Sequence, residues 1–171
     1  GLSEAGHALV RACNRLGIMI DLAHLNAAGF WDVARISDAP LVATHTAAHA
    51  LCPSTRNLTD AQLEAIAATD GLVGLSFTVS DLRADGAHNA DTPLTDMVRH
   101  IDHLVRQVGI DRVALGSDFD GTTVPVAIGD VSGLPHLFSA LGAAGYDDVA
   151  LRKLAHENWL RVLGLTWHEA Y

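Results

Sequence analysis

Three side chains of the kinds that bind metals stand where an apolar segment gives way to polar residues. His24 follows GIMIDLA, His45 follows LVAT, and Asp118 follows RVALGS. Two neutral imidazoles and a carboxylate suit Zn²⁺ or a similar divalent ion. Each residue alone is more easily explained as structural, but three at equivalent positions predict a metal or hydrolytic site.

Further polar residues lie close to these three in the sequence. Arg56, in CPSTRN, follows His45 on the same predicted loop. Beside a metal, a guanidinium can bind a substrate carboxylate through two hydrogen bonds, whereas elsewhere it would be an ordinary loop arginine. Four residues are near enough to orient the ligands: Asp21, Thr44, His49 and Asp120.

Other histidines and motifs do not point to a site. His100 and His103, in MVRHIDHLVRQ, fall within a predicted helix, where the HxD spacing does not place both side chains on one face of a strand. The other histidines away from strand ends are expected to be structural or solvated: His7, His88, His136, His156 and His168. The sequence contains neither a glycine-rich phosphate loop with lysine nor a Gly-x-Ser-x-Gly elbow.

The elements that must position these residues alternate along the chain. Strands are predicted over Ile18–Leu22, Leu41–Thr44, Gly71–Thr78 and Arg112–Gly116. Helices are predicted over Ser3–Leu16, Ala27–Ile36, Thr59–Thr69, Thr92–Val108, Leu134–Ala144 and Asp147–Leu163. Such alternation implies an α/β fold with parallel strands joined by right-handed crossovers. His24, His45 and Asp118 are then expected on one face, at the carboxyl ends of the strands.

The composition narrows the class of protein. The 171 residues are 49% apolar, which fits one globular domain or part of a larger one. The net charge of −9 argues against nucleic acid or anionic membrane as a partner. No apolar stretch is long enough to span a bilayer, and no signal-peptide pattern is present. Two cysteines, Cys13 and Cys52, do not make a disulfide framework, so we expect a cytoplasmic protein.

Three long segments resemble the membrane (renal) dipeptidase family of zinc peptidases. They are GLSEAGHALVRACNRLGIMIDLAH, APLVATHTAAHALCPSTRNLTDAQLEAIA and HIDHLVRQVGIDRVALGSDFDG. The resemblance implies a metal-dependent-hydrolase (β/α)8 TIM barrel that cleaves dipeptides at a two-zinc centre. Residues 1–171 would form a single domain fragment, the C-terminal half of that barrel with strands five to eight, and thus about four parallel strands with helices.

The resemblance also assigns roles to individual residues. His24 and His45 match the two histidines that bind the second zinc, and Arg56 matches the arginine that holds the substrate carboxylate. Asp118 matches the aspartate that accepts a proton from the attacking water and contacts the substrate amine. Cys52 matches a disulfide cysteine of the family, but its partner is missing after Phe77, which argues against the extracellular variety.

Part of the family site has no counterpart in this sequence. The His-x-Asp pair that binds the first zinc, the bridging glutamate and the oxyanion histidine would all precede residue 1. We therefore expect a zinc dipeptidase that is incomplete here, with two Zn²⁺ in a complete site and one or none in this chain alone. The alternatives are a non-catalytic half-barrel that forms a homodimer or joins its missing N-terminal half, and another amidohydrolase-type hydrolase. Arg56 argues against the last, because it favours a substrate with a carboxylate.

Overall fold

The centre of the molecule is a three-stranded parallel sheet. The computed structural model describes residues 1–167, so His168 lies outside the described residues. The strands are β1 (Val42–Thr46), β2 (Leu72–Leu75) and β3 (Val113–Leu115), in the order β1-β2-β3. Both neighbouring pairs are parallel, which confirms the predicted α/β arrangement. We call the edge formed by the carboxyl ends of the strands the upper edge.

Helices precede, separate and follow the strands. Within residues 1–167 the α-helices are α1 (Glu4–Leu16), α2 (Ala27–Ile36), α3 (Asp60–Ala68), α4 (Val79–Leu82), α5 (Leu94–Val108), α6 (Leu134–Ala143), α7 (Asp148–Arg152) and α8 (Asn158–Thr166). A π-helical segment, Lys153–Glu157, joins α7 to α8, so the helix predicted over Asp147–Leu163 is interrupted. No helix of the described chain is long and apolar enough to cross a membrane.

The helix ends follow local chemistry that the sequence shows directly. The Ser3 hydroxyl accepts the N–H of Gly6 at the start of α1. Thr59 and Gln62 form a complete capping box at the start of α3. Gly17 ends α1 in the left-handed conformation, with φ 64°. These contacts span few residues, and for that reason the predicted helix boundaries agree closely with the structure.

The sheet is covered on both faces. One face, which includes Ala43, Val73 and Val113, belongs to the main core and packs with buried residues of α3 and α5. The opposite face includes Val42, Leu72 and Ala114 and packs against Val162 and Trp159 of α8. The alternation of residues between faces is that of a pleated sheet.

Helix α8 is bound at the lower edge of the sheet, which is the edge formed by the amino ends of the strands. The guanidinium of Arg161 donates to the carbonyl oxygens of Asp70 and Gly71, each at 2.7 Å, and to that of Asp111 at 3.1 Å. These carbonyls precede β2 and β3. The C-terminal helix therefore closes the end of the sheet opposite the predicted site, and the upper edge stays open.

The predicted strand Ile18–Leu22 is not formed. Its only ladder contact is an isolated bridge between Asp21 and Val42. The N–H of Thr44, which would continue a parallel ladder, instead donates to the carboxylate of Asp21 at 2.9 Å. Within residues 1–167 the sheet therefore has three strands, and the segment before His24 lies beside β1 without joining it as a strand.

Strand β1 extends further than predicted and contains a bulge. Its pairing with β2 runs Ala43 to Val73 and then Thr46 to Leu75, so two residues of β1 lie opposite one residue of β2. Thr44 and His45 lie in this irregularity. His45 is therefore inside the strand, not just after it, and the bulge changes the direction of its side chain.

Candidate functional site

Two histidines meet at the upper edge. His24 follows the extended segment beside β1, and His45 lies in the bulge of β1. Their Nε2 atoms are 2.9 Å apart, and their ring centroids are 5.0 Å apart at an interplanar angle of 57°. The two imidazoles thus present the same type of nitrogen to one point, as predicted from their places in the sequence.

A threonine and an aspartate lie behind His45. The hydroxyl oxygen of Thr44 is 2.7 Å from Nδ1 of His45 and 2.6 Å from Oδ2 of Asp21. The other oxygen of Asp21 accepts the backbone N–H of Thr44 and of Ala23. The structure therefore brings Asp21 and Thr44, expected to orient the ligands, into direct contact with the histidine segments.

The backbone at the upper edge adopts an unusual conformation. Among residues 1–167, the non-glycine residues with positive φ are His24, Asp70, Asp118 and Asp120. The left-handed conformation costs an L-residue about 1–2 kcal/mol, and such residues cluster at functional sites. Three of the four follow strand-like segments at the upper edge, where the candidate side chains lie.

Arg56 reaches the histidine pair. Its Nη2 atom is 3.3 Å from Nε2 of His24 and 3.4 Å from the carbonyl oxygen of His45. Its own backbone is held on both sides, because Thr46 donates its hydroxyl to the Arg56 carbonyl and Ser54 accepts the Arg56 N–H. A carboxylate bound by this guanidinium would lie next to both imidazoles.

Asp118 does not contact the histidines in the described chain. Residues 116 and 117 continue the β2–β3 hydrogen bonding, through Gly116 N–H to Leu75 and Phe77 N–H to the Ser117 carbonyl. Asp118 then turns, and its carboxylate lies so near Gly121 that a Cβ there would be 2.4 Å from Oδ1. No group of three or more His, Cys, Asp or Glu within residues 1–167 is arranged to hold a metal. The role of Asp118 stays a prediction.

A cavity of about 450 Å³ opens beside the pair. His24, Arg56 and His49 contribute to its lining, together with Asn57 and Gln62. A volume of this size is at the lower end of what small-molecule sites provide. His49 thus faces the same cavity as His24, whereas Asp120 lies exposed in the loop after β3.

The nitrogen atoms of the site fit a divalent cation. Thr44 engages Nδ1 of His45, so Nε2 is the nitrogen available to a ligand. Two nitrogens bound at about 2.0–2.1 Å to a tetrahedral zinc lie roughly 3.4 Å apart, and the observed 2.9 Å is close to this. His24 Nε2 cannot donate to His45 and accept from Arg56 at once, so only one of these two contacts is a hydrogen bond at a time.

The sequence did not predict a buried cluster of hydrogen-bonded polar residues beside the loop that carries Arg56. The side chain of Asn57 donates to the carbonyl oxygens of Cys52 and Asp81, and Ser54 donates to the Asp81 carboxylate. The Cys52 thiol donates to Ser80, and burial raises its pKa. Both cysteines are free thiols. The polar segment CPSTRN was the sequence feature that could have indicated this cluster. Its hydrogen-bond partners in α4, however, are distant in sequence.

Comparison with known proteins places these residues in a wider context. A family model described as membrane dipeptidase (peptidase family M19) matches residues 1–169. An uncharacterized protein in the pqqA 5' region of Klebsiella pneumoniae is 54% identical over 169 residues, which cover 99% of this chain and 62% of that protein.

Two solved structures share the fold. The metallo peptidase from Rhodobacter sphaeroides, liganded with a phosphinate mimic of the dipeptide L-Ala-D-Ala, is 57% identical with a TM-score of 0.97 and covers 98% of this chain. The probable dipeptidase PvdM from Pseudomonas aeruginosa is 26% identical with a TM-score of 0.88 and covers 97% of this chain. The chain spans 48% and 55% of these two proteins, about half of their length.

Proposed function

Because the chain belongs to the membrane dipeptidase family, peptidase family M19, we propose that it is part of a zinc-dependent dipeptidase. Its fold is that of part of the metal-dependent-hydrolase TIM barrel, with three parallel strands and their helices. We propose dipeptides with a free C-terminal carboxylate as the substrate class. The R. sphaeroides relative, which was solved with a mimic of L-Ala-D-Ala, supports this choice.

The observation that carries the proposal is the cluster of His24, His45 and Arg56. Two imidazoles with facing Nε2 atoms suit a metal, and a guanidinium 3.3 Å from one of them suits an anionic substrate group. A carboxylate at a fixed distance from the metal limits cleavage to the peptide bond next to it. This fixed distance between the metal and the carboxylate site selects dipeptides over longer peptides.

Each residue has a separate task in the proposed reaction. Zinc, when bound, polarises the scissile carbonyl and lowers the pKa of water. His24 and His45 hold it through Nε2, and Arg56 orients the substrate through paired hydrogen bonds to the carboxylate. Asp118, at the end of β3, accepts the proton of the attacking water on a carboxylate oxygen and contacts the substrate amine.

The complete site needs groups from outside the described chain. Two imidazoles leave a zinc ion short of ligands, and a second ion needs ligands of its own. We propose that the remaining strands of the barrel supply them, from the rest of a longer chain, a separate N-terminal half or a second copy of this one. The chain alone is then a poor dipeptidase.

The second candidate is a non-catalytic half-barrel. One observation that favours it is the absence of any three-residue metal cluster within residues 1–167. The other is that, within the same residues, β3 pairs only with β2 and so has one free edge. A free sheet edge is a surface for association with other strands. On this proposal the chain binds a partner but contributes no turnover.

Turnover of L-Ala-D-Ala distinguishes the two. The zinc-loaded chain is assayed alone and after joining to the remaining half of the R. sphaeroides relative. The His45→Ala variant of each of these two proteins is assayed in parallel. His103→Ala is the matched control, because His103 pairs with Asp60 on the helical surface. We expect the chain alone to be at least about a thousandfold slower than a typical enzyme at roughly 10 per second, and the joined protein to recover activity that His45→Ala abolishes.

Two results would contradict these proposals. Fast turnover by the chain alone, lost in His45→Ala, would show that its ligands are completed without the other half. No turnover by the joined protein, when its folding and zinc content are normal, would contradict the dipeptidase proposal and favour the non-catalytic half-barrel.

A further inference from the structure

We propose that Asp21 and Thr44 are positioning residues that fix which nitrogen of His45 carries its proton and where the ring points. The inference rests on the proposed metal function, because it concerns a ligand of that site. It adds a specific order of hydrogen bonds, from the carboxylate through the hydroxyl to the imidazole.

The direction of the hydrogen bonds follows from the chemistry of the three groups. An ionised carboxylate only accepts, so the single proton of the Thr44 hydroxyl goes to Oδ2 of Asp21, 2.6 Å away. The hydroxyl oxygen must then accept from Nδ1 of His45, at 2.7 Å. His45 is thereby held with its proton on Nδ1, and the lone pair of Nε2 faces His24.

The same carboxylate also holds the segment that presents His24. Oδ1 of Asp21 accepts the N–H of Ala23 and the N–H of Thr44, each at 2.9 Å. Ala23 immediately precedes His24, whose φ of 66° needs such support. One side chain thus connects the backbone of both metal-binding segments and keeps their distance constant.

The carbonyl group of Thr44 is held as well. It points toward Gly74 in β2 and Gly116 just after β3, and a Cβ at either position would lie 2.0 Å from its oxygen. Only glycine leaves room for this oxygen, because real Cβ atoms do not approach backbone that closely. The bulge of β1 therefore depends on Gly74 and Gly116, and through the bulge so does the direction of the His45 ring.

Asp21→Asn tests the proton order with little change of shape. The amide oxygen of asparagine can still accept both backbone N–H groups, but its NH₂ donates to the Thr44 oxygen. The hydroxyl proton is then free to point at Nδ1 of His45, which favours the tautomer protonated on Nε2. A lone pair is lost from the nitrogen that faces His24.

Two substitutions of Thr44 complete the set. Thr44→Val removes the hydroxyl and keeps the branched shape, whereas Thr44→Ser keeps the hydroxyl. Thr69→Val is the matched control, because the Thr69 hydroxyl also has two hydrogen-bond partners, the Leu41 N–H and the Ile66 carbonyl, but lies at the opposite end of β1.

The tautomer is measured in the metal-free chain by long-range ¹⁵N–¹H spectra of its histidines at mildly alkaline pH. Zinc affinity is measured by competition with a chromophoric chelator. We expect the Nδ1-protonated form of His45 in the wild type, Thr44→Ser and Thr69→Val, and more of the Nε2-protonated form in Asp21→Asn and Thr44→Val. Zinc affinity should fall by about 10- to 100-fold in the last two.

An unchanged tautomer and unchanged zinc affinity in Asp21→Asn and Thr44→Val would overturn the inference. If the wild type shows the expected tautomer but binds no zinc, the positioning role is supported while the metal proposal fails. Circular dichroism checks the folding of each variant, and Asp21→Asn with Thr44→Ser decides the question if Thr44→Val is unfolded.

Discussion

The imidazole of His100 donates its Nε2 proton to the carbonyl oxygen of Leu82 at 2.9 Å. This direction follows because its Nδ1 accepts the N–H of Ala48, at 3.1 Å. His100 is fully buried in α5, so both nitrogens of the neutral ring are satisfied. It connects the loop after β1, which carries the Arg56 segment, with α4. His100 therefore has a packing role and is not part of the candidate site.

Protonation of His100 should destabilise the protein in acid. Burial lowers its pKa from 6.5 to about 4, against the opposing effect of the hydrogen bond to Leu82. The unfolded chain takes up the proton first, so this contribution to stability is complete above pH 6.5, falls toward pH 4 and is constant below. The loss amounts to roughly 3 kcal/mol.

Thermal unfolding across this pH range measures the effect. His100→Gln should be less stable than wild type at neutral pH but lose less stability on acidification, because the titrating group is gone. His103→Gln, one turn away and paired with Asp60, is the control. Equal pH dependence in wild type and His100→Gln would refute the assignment.

Arg56→Lys should weaken dipeptide binding in the complete enzyme. Lysine retains the charge but lacks the planar fork that binds both carboxylate oxygens. We expect KM to rise more than kcat falls, with discrimination against C-terminally amidated dipeptides reduced. Arg83→Lys is the control, because Arg83 pairs with Asp85 and has no hydrogen bond to His24 or His45 in the described chain. Unchanged kinetics on free dipeptides, without any gain on the amides, would count against the role of Arg56.

Gly74→Ala should destabilise the protein by more than about 2 kcal/mol. The new Cβ would lie 2.0 Å from the carbonyl oxygen of Thr44, which is backbone and cannot rotate away. Gly142→Ala is a contrasting control in α6, since a Cβ there meets nothing within 4 Å. Because alanine favours helices, that change should stabilise the protein by up to about 1 kcal/mol. Urea unfolding compares the two, and equal effects would contradict the close approach of β1 and β2.

Arg161→Ala should lower the free energy of unfolding by on the order of 2–3 kcal/mol. Its guanidinium makes three hydrogen bonds to carbonyls at the lower edge, and a charged donor contributes more than a neutral one. Arg35→Ala removes only an ion pair with Asp32 at the surface of α2, which should contribute less than about 1 kcal/mol. If the two variants unfold at the same urea concentration, α8 is not held by Arg161.

The sequence by itself determined the features that depend on near neighbours. Ser3 and the Thr59–Gln62 box start helices through contacts within three residues, so their spacing is visible in the sequence. Alternating elements predicted parallel strands, and the carboxyl ends of parallel strands share an edge. That rule predicts that His24 and His45 lie together, and their Nε2 atoms are 2.9 Å apart in the structure.

Tertiary structure decided the features that depend on distant partners. Ile18–Leu22 has the composition of a strand, but the Asp21 side chain takes the N–H of Thr44 that a ladder would use. The closing helix is interrupted after α7, and in α8 beyond the interruption Asn158 donates to the carbonyl oxygens of Ile110 and Val113.

The bulge at Thr44 and His45 is another feature that depends on distant partners. The carbonyl oxygen of Thr44 in this bulge occupies space that Gly74 and Gly116, 30 and 72 residues further along the chain, leave free. A strand's register is set by the strands beside it, and no local pattern encodes a shift of one residue. The sequence therefore identified the two histidines that meet at the upper edge, whereas packing between strands decided the direction in which His45 points.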